Sequence, residues 1–164
     1  METIDAIKIR HSSRSFSDRP ISPDNIEKIV DCGRLAPTAR KEEPWEFIAI
    51  TERETLKKLA NLTDHGTFIQ SAACAIIVCC RDTKYYLEDG CAATENMLVA
   101  AASLGVGSCW VAGDKKPYCA AVLGLLNIPS SFKLVSIVAL GYPTGTEAAL
   151  EKRPLAKVLH WQRF

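Results

Sequence analysis

The chain has 164 residues, 48% of them hydrophobic and 24% charged, a composition that fits one globular domain over 1–164 with a substantial core and leaves no room for two. With 20 Lys and Arg against 19 Asp and Glu, the net charge of +1 offers no global field for nucleic acid or an acidic membrane, so an anion must be held locally. The longest apolar run, Ala72 to Cys80, falls far short of the roughly 20 residues that span a bilayer, and Met1-Glu2-Thr3-Ile4-Asp5 lacks the regions of a signal peptide. A soluble cytosolic protein is expected.

Elements follow in chain order. Ile4, Ile7 and Ile9 precede a polar run and suggest a short helix ending near His11. Ser22-Pro23-Asp24 supplies a cap, a proline at the first helical position and a first-turn acid for a second helix, with Ile26, Ile29 and Val30 on its buried face and Pro37 marking its end. Trp45 to Ile50 reads as a strand, and Thr51-x-x-Glu54 as a capping box opening a helix that carries Leu56, Leu59 and Leu62. Ala75 to Cys80 is a continuous apolar strand. The longest helical pattern runs from Lys84 to Leu104, rich in Ala, and Gly105 and Gly107 stop it before a strand at Ser108 to Val111. A helix over Pro117 to Leu126 and a buried strand over Leu134 to Leu140 complete the body.

Strands alternate with helices, yet two helices open the chain and no Gly-x-Gly-x-x-Gly follows a strand, so an α+β sheet flanked by helices is expected rather than a doubly wound dinucleotide fold. The tail His160-Trp161-Gln162-Arg163-Phe164 is too apolar to stand in water without purpose. It packs on its own domain or wraps a second subunit, and the residues alone leave both open.

Seven cysteines are an odd count with no Cys-x-x-Cys pair, and Cys74, Cys79, Cys80 and Cys109 lie among apolar residues, where they behave as small hydrophobes. His11, His65 and His160 are scattered, so no metal site is expected. A cysteine-based redox or metal protein built on Cys79-Cys80 is the reading from another class.

Four segments could carry chemistry. In Arg10-His11-Ser12-Ser13-Arg14-Ser15-Phe16, two arginines four apart with hydroxyls between them can present guanidinium forks and O–H donors to one phosphate. A solvated helix end is the plainer reading of that segment taken alone. Ala36-Pro37-Thr38-Ala39-Arg40-Lys41-Glu42-Glu43-Pro44-Trp45 is a charged loop braced by prolines, able to lay donors along the edge of a planar ring. In Gly105 to Gly113, small residues allow close backbone approach to a ligand. Gly141-Tyr142-Pro143 is followed ten residues on by Arg153.

Together and in this order, these segments resemble the nitroreductase family of FMN-dependent NAD(P)H oxidoreductases over nearly the whole chain. The resemblance implies a sandwich of a mostly antiparallel sheet and helices, forming a homodimer that exchanges its C-terminal segments and holds two FMN sites at the subunit interface. It assigns the flavin phosphate to Arg10, Ser12 and Arg14, with His11 beside them and Arg153 and Lys152 returning from the chain's end. The ring edge falls to Pro37, Thr38, Ala39 and Lys41 and to the backbone of Val111, Ala112 and Gly113; no side chain is assigned as an obligatory acid or base. The pattern Pro154 to Trp161 looks like the exchanged segment. The implied activity passes hydride from NAD(P)H through FMN to a small-molecule acceptor such as a nitroaromatic, a quinone or a free flavin.

The chain departs from the family pattern at the ring, where Lys41 replaces the usual Asn and Glu43 the usual Gln, with Arg40 adjacent. A cation there would stabilise an anionic reduced flavin; alternatively Lys41 and Glu43 pair with each other or face solvent. The departure also motivates the alternative of a flavin-binding or flavin-remodelling protein of this fold without reductase turnover. His65 lies within reach of such a ring or is structural, as a lone His more often is.

Overall fold

The computed structural model describes residues 1–145 and 151–164. Its centre is an antiparallel sheet in the order β1-β2-β4-β3, with β1 at Trp45–Ile50, β2 at Cys74–Arg81, β3 at Gly107–Ala112 and β4 at Phe132–Gly141. The central strands β2 and β4 are apolar on both sides because both sheet faces are covered. From β2, Cys74, Ile76, Val78 and Cys80 point into a core with Ile26, Ile29, Ala93 and Met97, while Ala75 and Ile77 point into a second core with Leu56, Leu59 and Ile69. The helices α2 (Pro23–Arg34) and α4 (Tyr86–Ser103) cover the first face, and α3 (Arg53–Leu62) and α5 (Cys119–Leu125) the second. The expected α+β architecture is therefore present.

Most elements lie where the periodicity places them. Ser22 caps α2 by accepting the Asn25 N–H, with Pro23 at the first helical position. The capping box at the next helix is a correction: α3 starts at Arg53, the cap position is Glu52, and no side chain caps it. Arg53 instead donates to the carbonyls of Ala72 and Gln70, both at 2.8 Å, and these tertiary bonds set the helix start. The helix α1 (Thr3–Ile9) buries only Ala6, leaving Ile4, Ile7 and Ile9 at least 48% exposed.

Two local devices shape the end of the sheet that matters below. The register between β2 and β4 shifts from Val78↔Ser136 to Cys79↔Leu134, so Val135 is an extra residue on β4. This bulge aims the Val135 carbonyl at the chain leaving β3, where it accepts the N–H groups of Gly113 at 3.1 Å and Asp114 at 3.4 Å. Second, residues 12–17 cross the edge of β3 and the end of β4: Ser13 N–H donates to Ser108 C=O at 2.9 Å and Ser17 N–H to Tyr142 C=O at 2.9 Å. Phe16 seats over Gly141, where a Cβ would lie 2.6 Å from its ring. Gly141→Ala would gain about 0.5–1 kcal/mol of backbone entropy, but the overpacking costs about 1–3 kcal/mol. The variant is expected to be less stable in urea unfolding, and an unchanged midpoint would show that Phe16 moves freely.

Candidate functional site

Docking of residues 12–17 on β3 sets the N-terminal motif in extended backbone, in which alternate residues share a side. Ser12 forms a parallel bridge to Ser108 and is exposed, as is Arg14, whereas Ser13 between them is buried. Arg10 is mostly covered and lies 3.7 Å from the half-exposed Glu95 of α4. His11 donates from Nδ1 to the Ile9 carbonyl at 2.9 Å, which leaves Nε2 facing the Ser13 hydroxyl at 3.5 Å.

Beside this motif a cleft of about 140 Å³ is lined by Arg14, His65, Phe68, Trp110, Ala112 and Lys116, with Asp64, Cys109, Val111 and Tyr118 completing it. The Arg14 guanidinium sits 5.9 Å from the Phe68 ring centroid, and Lys116 pairs with Asp64 at 3.4 Å. One wall is the free edge of β3. Because Ser108 turns its carbonyl outward to Ser13, strand alternation turns the N–H and C=O of Trp110 and Ala112 outward as well. The Gly113 N–H, grouped with this edge by sequence, faces Val135 instead, so Ala112 supplies the outward donor. Asp64, Phe68, Lys116 and Tyr118 were not singled out by any motif; loops after α3 and β3 bring them in.

The loop from Pro37 to Glu43 is built just as firmly but elsewhere. The buried Asp89 of α4, 4% exposed, accepts the Thr38 hydroxyl at 2.9 Å and the Ala39 N–H at 3.0 Å. Arg81 donates to the carbonyls of Glu42 at 2.7 Å and Glu43 at 3.4 Å. Between these anchors Arg40, Lys41 and Glu43 hold φ of 59°, 58° and 43°, left-handed values that cost a side chain about 1–2 kcal/mol each. Lys41 and Glu43 are exposed.

The two halves of the site expected from sequence do not share a cleft in one chain. Arg10 meets α4 at Glu95 and Ala39 meets it at Asp89, about 9 Å apart along the axis and about 120° around it. The loop feeds β1 at one sheet edge while the motif lies on β3 at the other, about 14 Å across. Lys152 and Arg153 lie in the exposed tail. Among the described residues no group of three or more His, Cys, Asp or Glu could hold a metal ion, and no helix is long and apolar enough to cross a membrane.

The fold is an α+β layer sandwich with an Arg-x-Ser-x-Arg segment docked on an open sheet edge, and comparison gives this class its name. The model of the Nitroreductase family matches residues 7–88 and 81–142. A protein of Archaeoglobus fulgidus named "Putative NADH dehydrogenase/NAD(P)H nitroreductase" is 41% identical over 149 residues, covering 87% of this chain and 86% of the relative. Two solved structures align over the whole fold: an FMN-dependent nitroreductase from Clostridium difficile R20291, with TM-score 0.92, 26% identity and 98% and 99% of the two chains covered, and a nitroreductase with bound FMN from Bacteroides fragilis NCTC 9343, with TM-score 0.83, 27% identity and 99% and 100% covered. The chain belongs to the Nitroreductase family.

Two expectations follow from this geometry. Asp89→Ala removes the acceptor for Thr38 and Ala39 and is expected to destabilise the protein by about 1–3 kcal/mol, with faster proteolysis within 38–43; an unchanged digestion pattern would show that Arg81 alone holds the loop. Burial pushes the Cys74 and Cys79 thiols up to about 11 and Cys80 to about 12. The folded state thus keeps these protons while an unfolded chain loses them near pH 9, so stability is expected to fall as pH rises from about 9 through about 12. At pH 8 the native protein should resist alkylation at all three, and mapping of the modified peptides checks it.

Proposed function

We propose that the chain is an FMN-dependent oxidoreductase that takes hydride from NAD(P)H and passes it to a small-molecule acceptor, such as a nitroaromatic, a quinone or a free flavin. The observation that carries this reading is the Arg10-x-Ser12-x-Arg14 segment held in extended backbone beside a cleft whose wall is an open strand edge. A phosphate needs charge-assisted donors, and Arg10, Arg14 and the Ser12 hydroxyl offer them from one stretch of chain. The Arg10–Glu95 pair, long at 3.7 Å and half-exposed on the Glu95 side, is weak and can yield to a phosphate. Lys152 and Arg153, exposed in the tail, are the further donors of this reading. The chemistry that FMN supplies when bound is hydride exchange between nicotinamide and acceptor. The chain's own part is to hold the phosphate, to present the Ala112 N–H to the ring edge and to exclude water with Phe68 and Trp110.

The reading includes a homodimer. At about 140 Å³ the cleft is below the roughly 300–1,000 Å³ of ligand pockets, and Pro37, Thr38, Ala39 and Lys41 are too far from it to serve it within one chain. A second copy supplies them and closes the site. The exposed Ile4, Ile7 and Ile9, and Leu155, Val158, Trp161 and Phe164 in the tail, are the apolar surface such a contact would cover.

Purified protein is expected to show bands near about 370 and 450 nm that bleach when NADH or NADPH is added anaerobically. A yellow protein that stays yellow would favour flavin binding without turnover, the alternative that Lys41 and Glu43 suggest, and one that takes up no FMN would overturn the reading. Arg14→Ala is expected to fold and to bind FMN roughly ten- to a hundredfold more weakly, the loss of one charged hydrogen bond; undiminished retention would remove Arg14 from the phosphate site.

A further inference from the structure

We propose that Tyr118 is a positioning residue that caps the Ala112 carbonyl so that Ala112 turns only a donor to the cleft, with Tyr86 and Asp114 steadying the turn behind it. The proposal rests on the FMN reading above and concerns residues that no motif assigns.

An exposed strand edge is a mixed surface. The N–H and C=O of Ala112 point the same way, toward the cleft that Ala112 lines. A ring atom with a lone pair would be attracted by the one and repelled by the other. Tyr118 resolves the conflict: from the start of α5 its hydroxyl donates to the Ala112 carbonyl, and the donated proton offsets the carbonyl's negative end. The phenol is 6% exposed, and burial together with the charge of Asp64 raises its pKa, so it stays a donor at neutral pH. What remains turned to the ligand is the Ala112 N–H.

The turn that follows is fixed from three other elements. The Gly113 carbonyl accepts the Lys116 N–H at 3.1 Å and the Cys119 thiol; the Gly113 and Asp114 N–H groups share the Val135 carbonyl; and Asp114 accepts the Tyr86 hydroxyl at 2.6 Å from the first turn of α4. The Asp114 carboxylate and burial push Tyr86 up to about 12, so this donor also persists. The peptide joining Ala112 to Gly113 is therefore held on both sides, its carbonyl by Tyr118 and its N–H by the Val135 carbonyl of β4. A donor-only position at Ala112 selects the side of a planar heterocycle that carries a ring nitrogen or carbonyl acceptor. It also stabilises that atom as electron density grows on it during reduction, without touching it through a side chain.

The test is Tyr118→Phe, which keeps the ring and removes one hydroxyl, with Tyr86→Phe as the second variant. FMN affinity is measured by quenching of flavin fluorescence, the reduction potential by equilibration with a reference dye, and folding by thermal melting. Tyr118→Phe is expected to bind FMN about five- to tenfold more weakly and to shift its potential downward. Tyr86→Phe should move both in the same direction by less, and it carries the test if Tyr118→Phe does not fold. A variant that melts lower but binds FMN with unchanged affinity and potential overturns the proposal, because a merely structural phenol would do that. So does a pair of variants indistinguishable from the wild type. Wild-type protein that takes up no FMN overturns the functional reading itself, and the proposal with it.

Discussion

The candidate site depends on one hydrogen bond more than on any other, that from Ser13 N–H to the Ser108 carbonyl at 2.9 Å. It does two things at once. It lays residues 12–17 along the open edge of β3 in extended form, which puts Ser12 and Arg14 out and Ser13 in. It also uses the outward parity that pairing with β4 gives Ser108, the parity from which the outward direction of the Ala112 N–H follows. Close packing makes this docking possible: a Cβ on Gly107 would lie 2.9 Å from the Ser13 hydroxyl and 2.6 Å from Pro143. A larger residue at either crossing would lift the motif from the strand, and the cations with it.

The bulge at Val135 complements this constraint from the other side. An uninterrupted ladder would leave the residues after Ala112 to continue along β4 as strand. The extra residue instead offers one carbonyl to two successive N–H groups, and the chain turns away toward α5. Gly113 is required there because a Cβ would meet the Val135 backbone at 2.7 Å, and backbone cannot swing aside as a side chain does. Motif, strand edge and turn thus form one piece built on β3, while the loop from Pro37 to Glu43 is a second piece built on β1 and α4.

How much of this was legible in the sequence follows from the range of the forces involved. The strands β2 and β4 and the helix α4 were legible because their apolar runs and Ala-rich pattern encode burial locally. The start of α3 was not, since Arg53 is tied to carbonyls of Gln70 and Ala72 and these override the apparent box at Thr51. Periodicity located α1 but could not say that Ile4, Ile7 and Ile9 stay uncovered in a single chain. Of the candidate site, the Arg-x-Ser-x-Arg segment was legible as a pattern able to offer donors to an anion, whereas Phe68, Lys116 and Tyr118 reach the cleft through loop geometry that leaves no local signature. That the Pro37 loop lies apart from the motif is a property of the strand order β1-β2-β4-β3, which no local pattern contains.

The left-handed loop shows most clearly how tertiary structure writes what the sequence does not. Arg, Lys and Glu are not residues that choose φ near +60°, and three such positions at about 1–2 kcal/mol each amount to about 3–6 kcal/mol of strain. Asp89 offsets it with two hydrogen bonds to a carboxylate and Arg81 with its bond to Glu42, each worth about 1.5–3 kcal/mol. The two sums are of similar size, and within the loop the Thr38 hydroxyl accepts the Glu43 N–H at 3.1 Å, so the shape rests on α4 and the end of β2 as well as on the loop itself. Asp89 is also where α4 leaves the loop's side of the molecule, and six residues later Glu95 meets Arg10. The same helix therefore touches both pieces within one chain, holding the loop through Asp89 and meeting the motif at Glu95.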